Sequence, residues 1–325
     1  MLGRERMGVF LPAFLSPSLL PMVPTLSVYV APDALYGIVA GPGTKGLQLE
    51  AIAAVPYSEG LPLAELRQQL DGTEWSALTL VLDSSMAAVA SFPIEADQSI
   101  ALIREQVELE IIQQFLGTPS EGYTADVYRI GPDVQRNLRA CAVCLLPSHR
   151  TLVQQVQDAF GSAPRTTIVP IALAAAFAYN YPEQSGKRCA LAFVGSDAVE
   201  LITVENQMLL HWVAVPSRGS VETALQQAVR QTLVACGEAR TLYLAGIGLT
   251  RRRFEQVVIA LEGRFAEPVA LLDGFRMVQC GLAPELCQAA APLGHVFTPA
   301  IGGAVQPLYL APTWTLDARN VPSPA

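Results

Sequence analysis

The sequence predicts an α/β protein made of a duplicated unit: two similar lobes facing each other across a cleft, with a small α+β insertion in the first lobe. Three observations predict it. Residues 25–55 and residues 188–215 carry the same pattern of three short strands joined by tight turns. Each block is followed by a helix-like stretch, another strand and another helix, and each repeat runs for well over a hundred residues. Hydrophobic residues make up 51% of the 325 and charged residues only 15%, against roughly 25% charged in an average globular protein. Such a chain buries large cores and leaves an apolar surface of the kind that marks interaction with a partner.

In the first unit LSVYVA turns at Pro32-Asp33 into LYGIVA, and Gly41-Pro42-Gly43 turns that strand into LQLEAIAAV. A helix over 62–70 and a strand over 77–83 follow, then a strand ending at 94. The clearest helix covers 99–116. Ile100, Ile103, Val107, Ile111 and Phe115 recur every three or four positions, and Gly117 with Pro119 stops it. Strands over 123–130 and 138–146 and a helix from Pro147-Ser148 to Phe160 come next, so 91–146 reads as the insertion. The alanine-rich helix 170–180 closes a first lobe of residues 25–182.

The second lobe, 183–306, repeats the order. A hairpin over 188–204 turns at Ser196-Asp197, and a strand at 207–214 and a helix at 219–236 follow. Strand 241–246 breaks at Gly246-Ile247-Gly248; a helix at 250–264, a strand at 268–272 and a helix near 274–281 complete the unit. Residues 307–325, rich in Pro and without periodicity, read as an extended or disordered tail. Residues 1–24 read as a disordered extension, with Met22 placed to begin the fold. Pro12, Pro17 and Pro21 would break a spanning helix. A signal peptide is the alternative, without a clean small-x-small cleavage site.

The net charge of −8 argues against a nonspecific nucleic-acid binder, which needs basic surface. Cys141-Ala-Val-Cys144 has redox or zinc spacing but lies in an apolar strand, where residues three apart face opposite sides. No second such pair completes a zinc site. The cysteines therefore read as core thiols, which suits a reducing compartment. His149, His211 and His295 are scattered, no Walker A loop or G-x-S-x-G occurs, and Arg251-Arg252-Arg253 reads as a solvated helix face. No catalytic set and no metal-ligand set stands out.

With the duplication drawn, residues 25–305 resemble the actin-like ATPase superfamily, whose lobes are ribonuclease-H-like. Within it they most resemble the PilM-like proteins of type IV pilus assembly, relatives of the GspL cytoplasmic domain and FtsA. The resemblance is carried by the position of the insertion, by the alanine-rich helix, and by LYLAGIGLTRRRFEQVVIALEGRFAEPVALLDGF. In active members each first hairpin reads Asp-Ile-Gly, its amides holding phosphate and its Asp orienting hydrated magnesium. Here Tyr29 stands at the Asp, Ala31 at the Gly and Tyr36 at a following Lys, while Phe193 stands at the second Asp and Gly195 is kept. Arg218-Gly219 replaces a glycine pair, and the base-side loop Ala245-Gly246-Ile247-Gly248 is partly intact.

The resemblance thus implies a degenerate pseudo-ATPase: a cytoplasmic scaffold peripheral to the inner membrane in a pilus or type II secretion-like platform. Its partner would be a PilN-like inner-membrane protein, held by a cytoplasmic peptide in a groove near 91–146; a homo-oligomer is also open. The tail residues Asn320-Val321-Pro322 faintly match such a peptide. The alternative is an active nucleotide-binding switch or a small-molecule kinase. Residual ATP or ADP binding would rest on Asp33, Gly195, Asp197, Gly246 and Gly248.

Overall fold

A computed structural model describes residues 23–95, 100–115, 124–133, 135–145, 149–217, 220–309 and 312–317. The expectations for the N-terminal extension, for Arg218-Gly219, for Gly117 and Pro119 and for Asn320-Val321-Pro322 fall outside these residues. Among the described residues no helix is long and apolar enough to cross a membrane.

The duplication is visible as two sheets of the same strand order. The first contains β1 (Thr25–Val30), β2 (Ala34–Gly43), β3 (Gly46–Pro56), β4 (Ala77–Leu82) and β8 (Arg165–Ile168) in the order β3-β2-β1-β4-β8. The second contains β9 (Cys189–Val194), β10 (Ala198–Glu205), β11 (Met208–Pro216), β12 (Thr241–Ala245) and β13 (Ala270–Leu271) in the order β11-β10-β9-β12-β13. In each, the first three strands are antiparallel and the later two parallel. Helices α1 (Leu63–Gln69) and α3 (Arg150–Phe160) cover the outer face of the first sheet. Helices α5 (Val221–Cys236) and α6 (Arg251–Ala260) do the same for the second. Ser220 caps α5 and Thr250 caps α6, each accepting the amide of the third residue on.

The insertion forms a third sheet, β15-β6-β7-β5, from β5 (Ala87–Pro93), β6 (Thr124–Ile130), β7 (Arg139–Leu145) and β15 (Pro312–Asp317). Helix α2 (Ile100–Phe115) packs on it through Ile103 and Val107. Strand β7 puts Cys141 into the core shared by the two lobes and Cys144 into that of the insertion, on opposite faces as the spacing requires.

Helix α4 (Val169–Asn180) has all twelve residues buried. A helix apolar on every side has no solvent face; α4 touches strands of both large sheets and α8 (Gly294–Tyr309). Gly302 permits that last contact, since a Cβ there would strike the Ala172 carbonyl. Helix α8 also lies on β1, β2 and β4, and β14 (Gln279–Cys280) pairs with β3. The chain after the second sheet therefore returns to the first.

The structure differs from the sequence reading at four places. Strand β8 and helix α8 were not expected. No helix occupies 274–281; α7 (Pro284–Ala290) comes later. Residues 307–309, read as tail, are helical, and Pro312–Asp317 pair with β6. Cysteine usage that suits a reducing compartment meets a disulfide instead: β14 and α7 bring the Cα atoms of Cys280 and Cys287 to 6.1 Å, and the two are bonded.

Candidate functional site: the cleft between the two sheets

The two hairpins that face the cleft turn alike. Ala31 N donates to Ala34 O and Gly195 N to Ala198 O, both at 3.0 Å. The residue following each third strand closes the turn: Tyr57 N donates to Asp33 O at 2.9 Å and Ser217 N to Asp197 O at 2.8 Å. Asp33 and Asp197 thus occupy equivalent tips, where Asp is a common turn former. Both are exposed at those tips.

Strand alternation decides what points inward. In β1, Leu26, Val28 and Val30 enter the outer core while Tyr29 faces the cleft floor; in β9, Ala190, Ala192 and Val194 face outward and Phe193 inward. Tyr29 and Phe193, at the two positions where the resemblance expects carboxylates, touch each other across the lobes. Their ring centroids lie 5.9 Å apart with planes at 83°. Tyr29 also stacks at 5.9 Å on Tyr36, its register partner, and Tyr36 meets Phe297 of α8 at 5.3 Å. Pairs of this kind contribute about 0.5–1.5 kcal/mol each beyond area burial. They make the floor one apolar core continuous through both lobes.

The register that sets Tyr36 opposite Tyr29 sets Glu200 opposite Phe193. Glu200 is only 3% exposed. Its Oε1 accepts a 2.8 Å hydrogen bond from the Ser84 hydroxyl of the first lobe, and its Oε2 has no partner. Burial first, then the neighbouring Asp83, push the carboxyl up to about 7, against the pull of Ser84. The Tyr29 hydroxyl is likewise buried and unpartnered. Burial above all, with Asp83 and Glu200 next, raises its pKa well above 10.0.

Above this floor the cleft encloses about 860 Å³, lined by Ala31, Pro32, Asp83 to Met86, Ser196 to Ala198, Glu200 and neighbours. Three carboxylates line it, and among the described residues no Lys, Arg or His does. Of the five residues expected at a nucleotide, Asp197 lines the cleft and Asp33 does not. Gly195 N is used in its own turn. Gly246 and Gly248 serve chain packing: their amides donate to His295 O (3.0 Å) and Val194 O (2.9 Å). A Cβ on Gly246, whose φ is +122°, would strike Val194 O, and one on Gly248 would come 2.6 Å from Gly195 O.

These residues do not fit a magnesium–triphosphate. The metal needs oxygen ligands and oriented polar support, and two packed rings supply neither. The remaining carboxylates face a polyanion without a compensating cation among the described residues. No group of three or more His, Cys, Asp or Glu there is placed to hold a metal ion. Sequence reasoning passed over Asp83, Ser84 and Glu200. The available signal was Val199-Glu200-Leu201-Ile202, an acid between apolar residues in mid-strand; that it faces inward is set by the pairing with β9.

No protein-family model matches the chain, and neither does any curated protein. Among solved structures, a chain of a PilM–PilN type IV pilus biogenesis complex superposes with a TM-score of 0.72 at 14% identity, covering 89% of this chain and 99% of its own. A Bacteroides thetaiotaomicron protein with an actin-like ATPase fold gives 0.48 at 16% identity, over 76% of this chain and 90% of its own. The cytoplasmic domain of EpsL, an inner-membrane component of the Vibrio cholerae type II secretion system, gives 0.44 at 14% identity, over 74% and 99%. At these identities the likeness is one of fold. The chain has the two-lobed fold of that PilM–PilN complex chain.

Proposed function

We propose that this protein is a non-catalytic scaffold, a pseudo-ATPase, in an inner-membrane platform of the type IV pilus or type II secretion kind, acting at the cytoplasmic face. The observation that carries the proposal is the contact between Tyr29 and Phe193. It fills the place where magnesium would be oriented and ties the lobes together by apolar packing. The likeness, over 89% of this chain, to a chain of a PilM–PilN complex supports the choice of assembly. A nucleotide switch or a kinase is less favoured, since phosphoryl transfer depends on charge stabilisation and the cleft is acidic.

The partner would be a PilN-like membrane protein that docks a short cytoplasmic peptide. A groove of about 610 Å³ runs along α2 beside β5, within the insertion. Leu102 and Leu109 are 52% and 59% exposed there, and Glu95, Glu105 and Glu110 also line it. An apolar strip with acidic neighbours suits a peptide carrying two or three apolar residues and basic flanks. Calorimetry with the N-terminal cytoplasmic peptide of the PilN-like protein from the same organism tests this. Micromolar binding lost in Leu109→Asp is expected; no binding, or binding indifferent to that change, refutes the groove.

A further inference from the structure

We propose that the inter-lobe cleft binds an alkylammonium group, with Glu200 and Asp83 as its anionic partners and the hydroxyls of Ser84 and Ser85 beside them. This goes beyond the scaffold reading and does not depend on the α2 groove.

The geometry carries it in three steps. First, Glu200 is buried on the inner face of β10 with Oε2 lacking any partner, while it lines an open cleft of about 860 Å³. A buried polar atom with no partner costs stability that a donor from a ligand recovers. Second, every charged side chain lining the cleft among the described residues is an acid: Asp83, Asp197 and Glu200. The cavity therefore favours cations and disfavours phosphates. Third, no set of three metal-ligating side chains converges there, so an ion needing a closed shell of oxygens is poorly served. An ammonium needs only acceptors for three donors. Asp83 Oδ1 is held by the Ser85 amide and hydroxyl at 3.2 and 3.1 Å, and Ser84 orients Oε1 of Glu200, so both acceptors are set in place.

Binding has a protonic signature. Near neutral pH part of the Glu200 population is protonated, under the influence of burial and Asp83, with the Tyr29 hydroxyl also facing it and Asp197 on the adjoining turn. An ammonium stabilises the carboxylate, so that fraction of protons passes to the buffer. Tyr29 stays protonated throughout and contributes no charge.

The test uses the full chain and four probes: cadaverine, Nα-acetyl-lysine amide, magnesium chloride and Mg·ATP. Thermal melting and calorimetry are read for wild type, Glu200→Gln, Asp83→Asn and, as a control on α1, Glu65→Gln. Cadaverine or the lysine amide is expected to bind wild type and the control. The affinity should fall at least tenfold in Glu200→Gln and in Asp83→Asn. Calorimetry in two buffers of different ionisation enthalpy should show proton release at about pH 6.5 and none at about pH 8.5. Preference for cadaverine assigns a free amine, and preference for the lysine amide a basic side chain of a partner. The proposal is overturned by no amine binding at millimolar concentration, by wild-type affinity in either acid variant, or by Glu200-dependent binding of magnesium alone. Mg·ATP is expected to give no heat, since the acids lining the cleft disfavour phosphates, and a failure of the amine arm leaves the peptide-groove experiment untouched.

Discussion

Glu200→Gln should change the pH dependence of stability in a way that a merely structural glutamate would not. In the unfolded chain this carboxyl titrates at its ordinary 4.5; in the folded protein burial and Asp83 hold it up to about 7. Below pH 4.5 both states are protonated and the group is neutral in its effect. Between 4.5 and 7 the native state binds more protons than the unfolded state, so stability falls as pH rises. Above 7 the loss is complete. At ~1.4 kcal/mol for each tenfold change in acidity, the loss is about 3 kcal/mol. Glutamine cannot titrate, and it keeps an oxygen for the Ser84 hydroxyl. The variant should therefore gain on wild type by about 3 kcal/mol between pH 4.5 and pH 8, on top of a constant offset for its buried amide. Urea denaturation at several pH values measures the difference directly. Parallel stability curves would refute the burial and ionisation state assigned to Glu200.

Other expectations follow from the same contacts. Tyr29→Ala and Phe193→Ala should each cost about 3–5 kcal/mol. The double variant should show a coupling of about 0.5–1.5 kcal/mol across the lobes in a double-mutant cycle; additive losses would deny the edge-to-face contact. Reducing the Cys280–Cys287 disulfide, which closes a short loop, should lower stability by about 2 kcal/mol, seen as a lower urea midpoint in reductant that Cys287→Ser reproduces. Gly246→Ala should destabilise by more than ~1 kcal/mol in thermal melts, because the Cβ meets Val194 backbone at a positive φ.

The repeated hairpins were legible because short apolar strands broken by turn residues recur, LSVYVA before Pro32-Asp33 and RCALAFV before Ser196-Asp197; the equivalence of Tyr29 and Phe193 came from the resemblance, and their contact is seen only in the fold. What stayed hidden has physical reasons. Helix α8 carries Pro299, Gly302 and Gly303, which read as breakers; Gly302 and Gly303 are there because α4 and β1 approach too closely for a Cβ. Strand β8 is four residues long and owes its state to pairing with β4, a tertiary cause that local propensity does not carry. The helix expected near 274–281 gives way to turns that Asn180 holds, donating to Gly274 O and accepting from Met277 N. Asp33 was singled out by its type and position in a turn. Glu200 is the acid that the register buries in the cleft wall, and the register became visible only with β9 and β10 paired.

Calorimetry of the purified chain with Mg·ATP, repeated with ADP and without metal, tests the central claim most directly. The aromatic floor formed by Tyr29, Tyr36 and Phe193 and the acidic wall above it predict no binding heat and no rise in melting temperature at millimolar nucleotide. Micromolar, magnesium-dependent binding would contradict the account and restore a nucleotide-switched reading of the cleft.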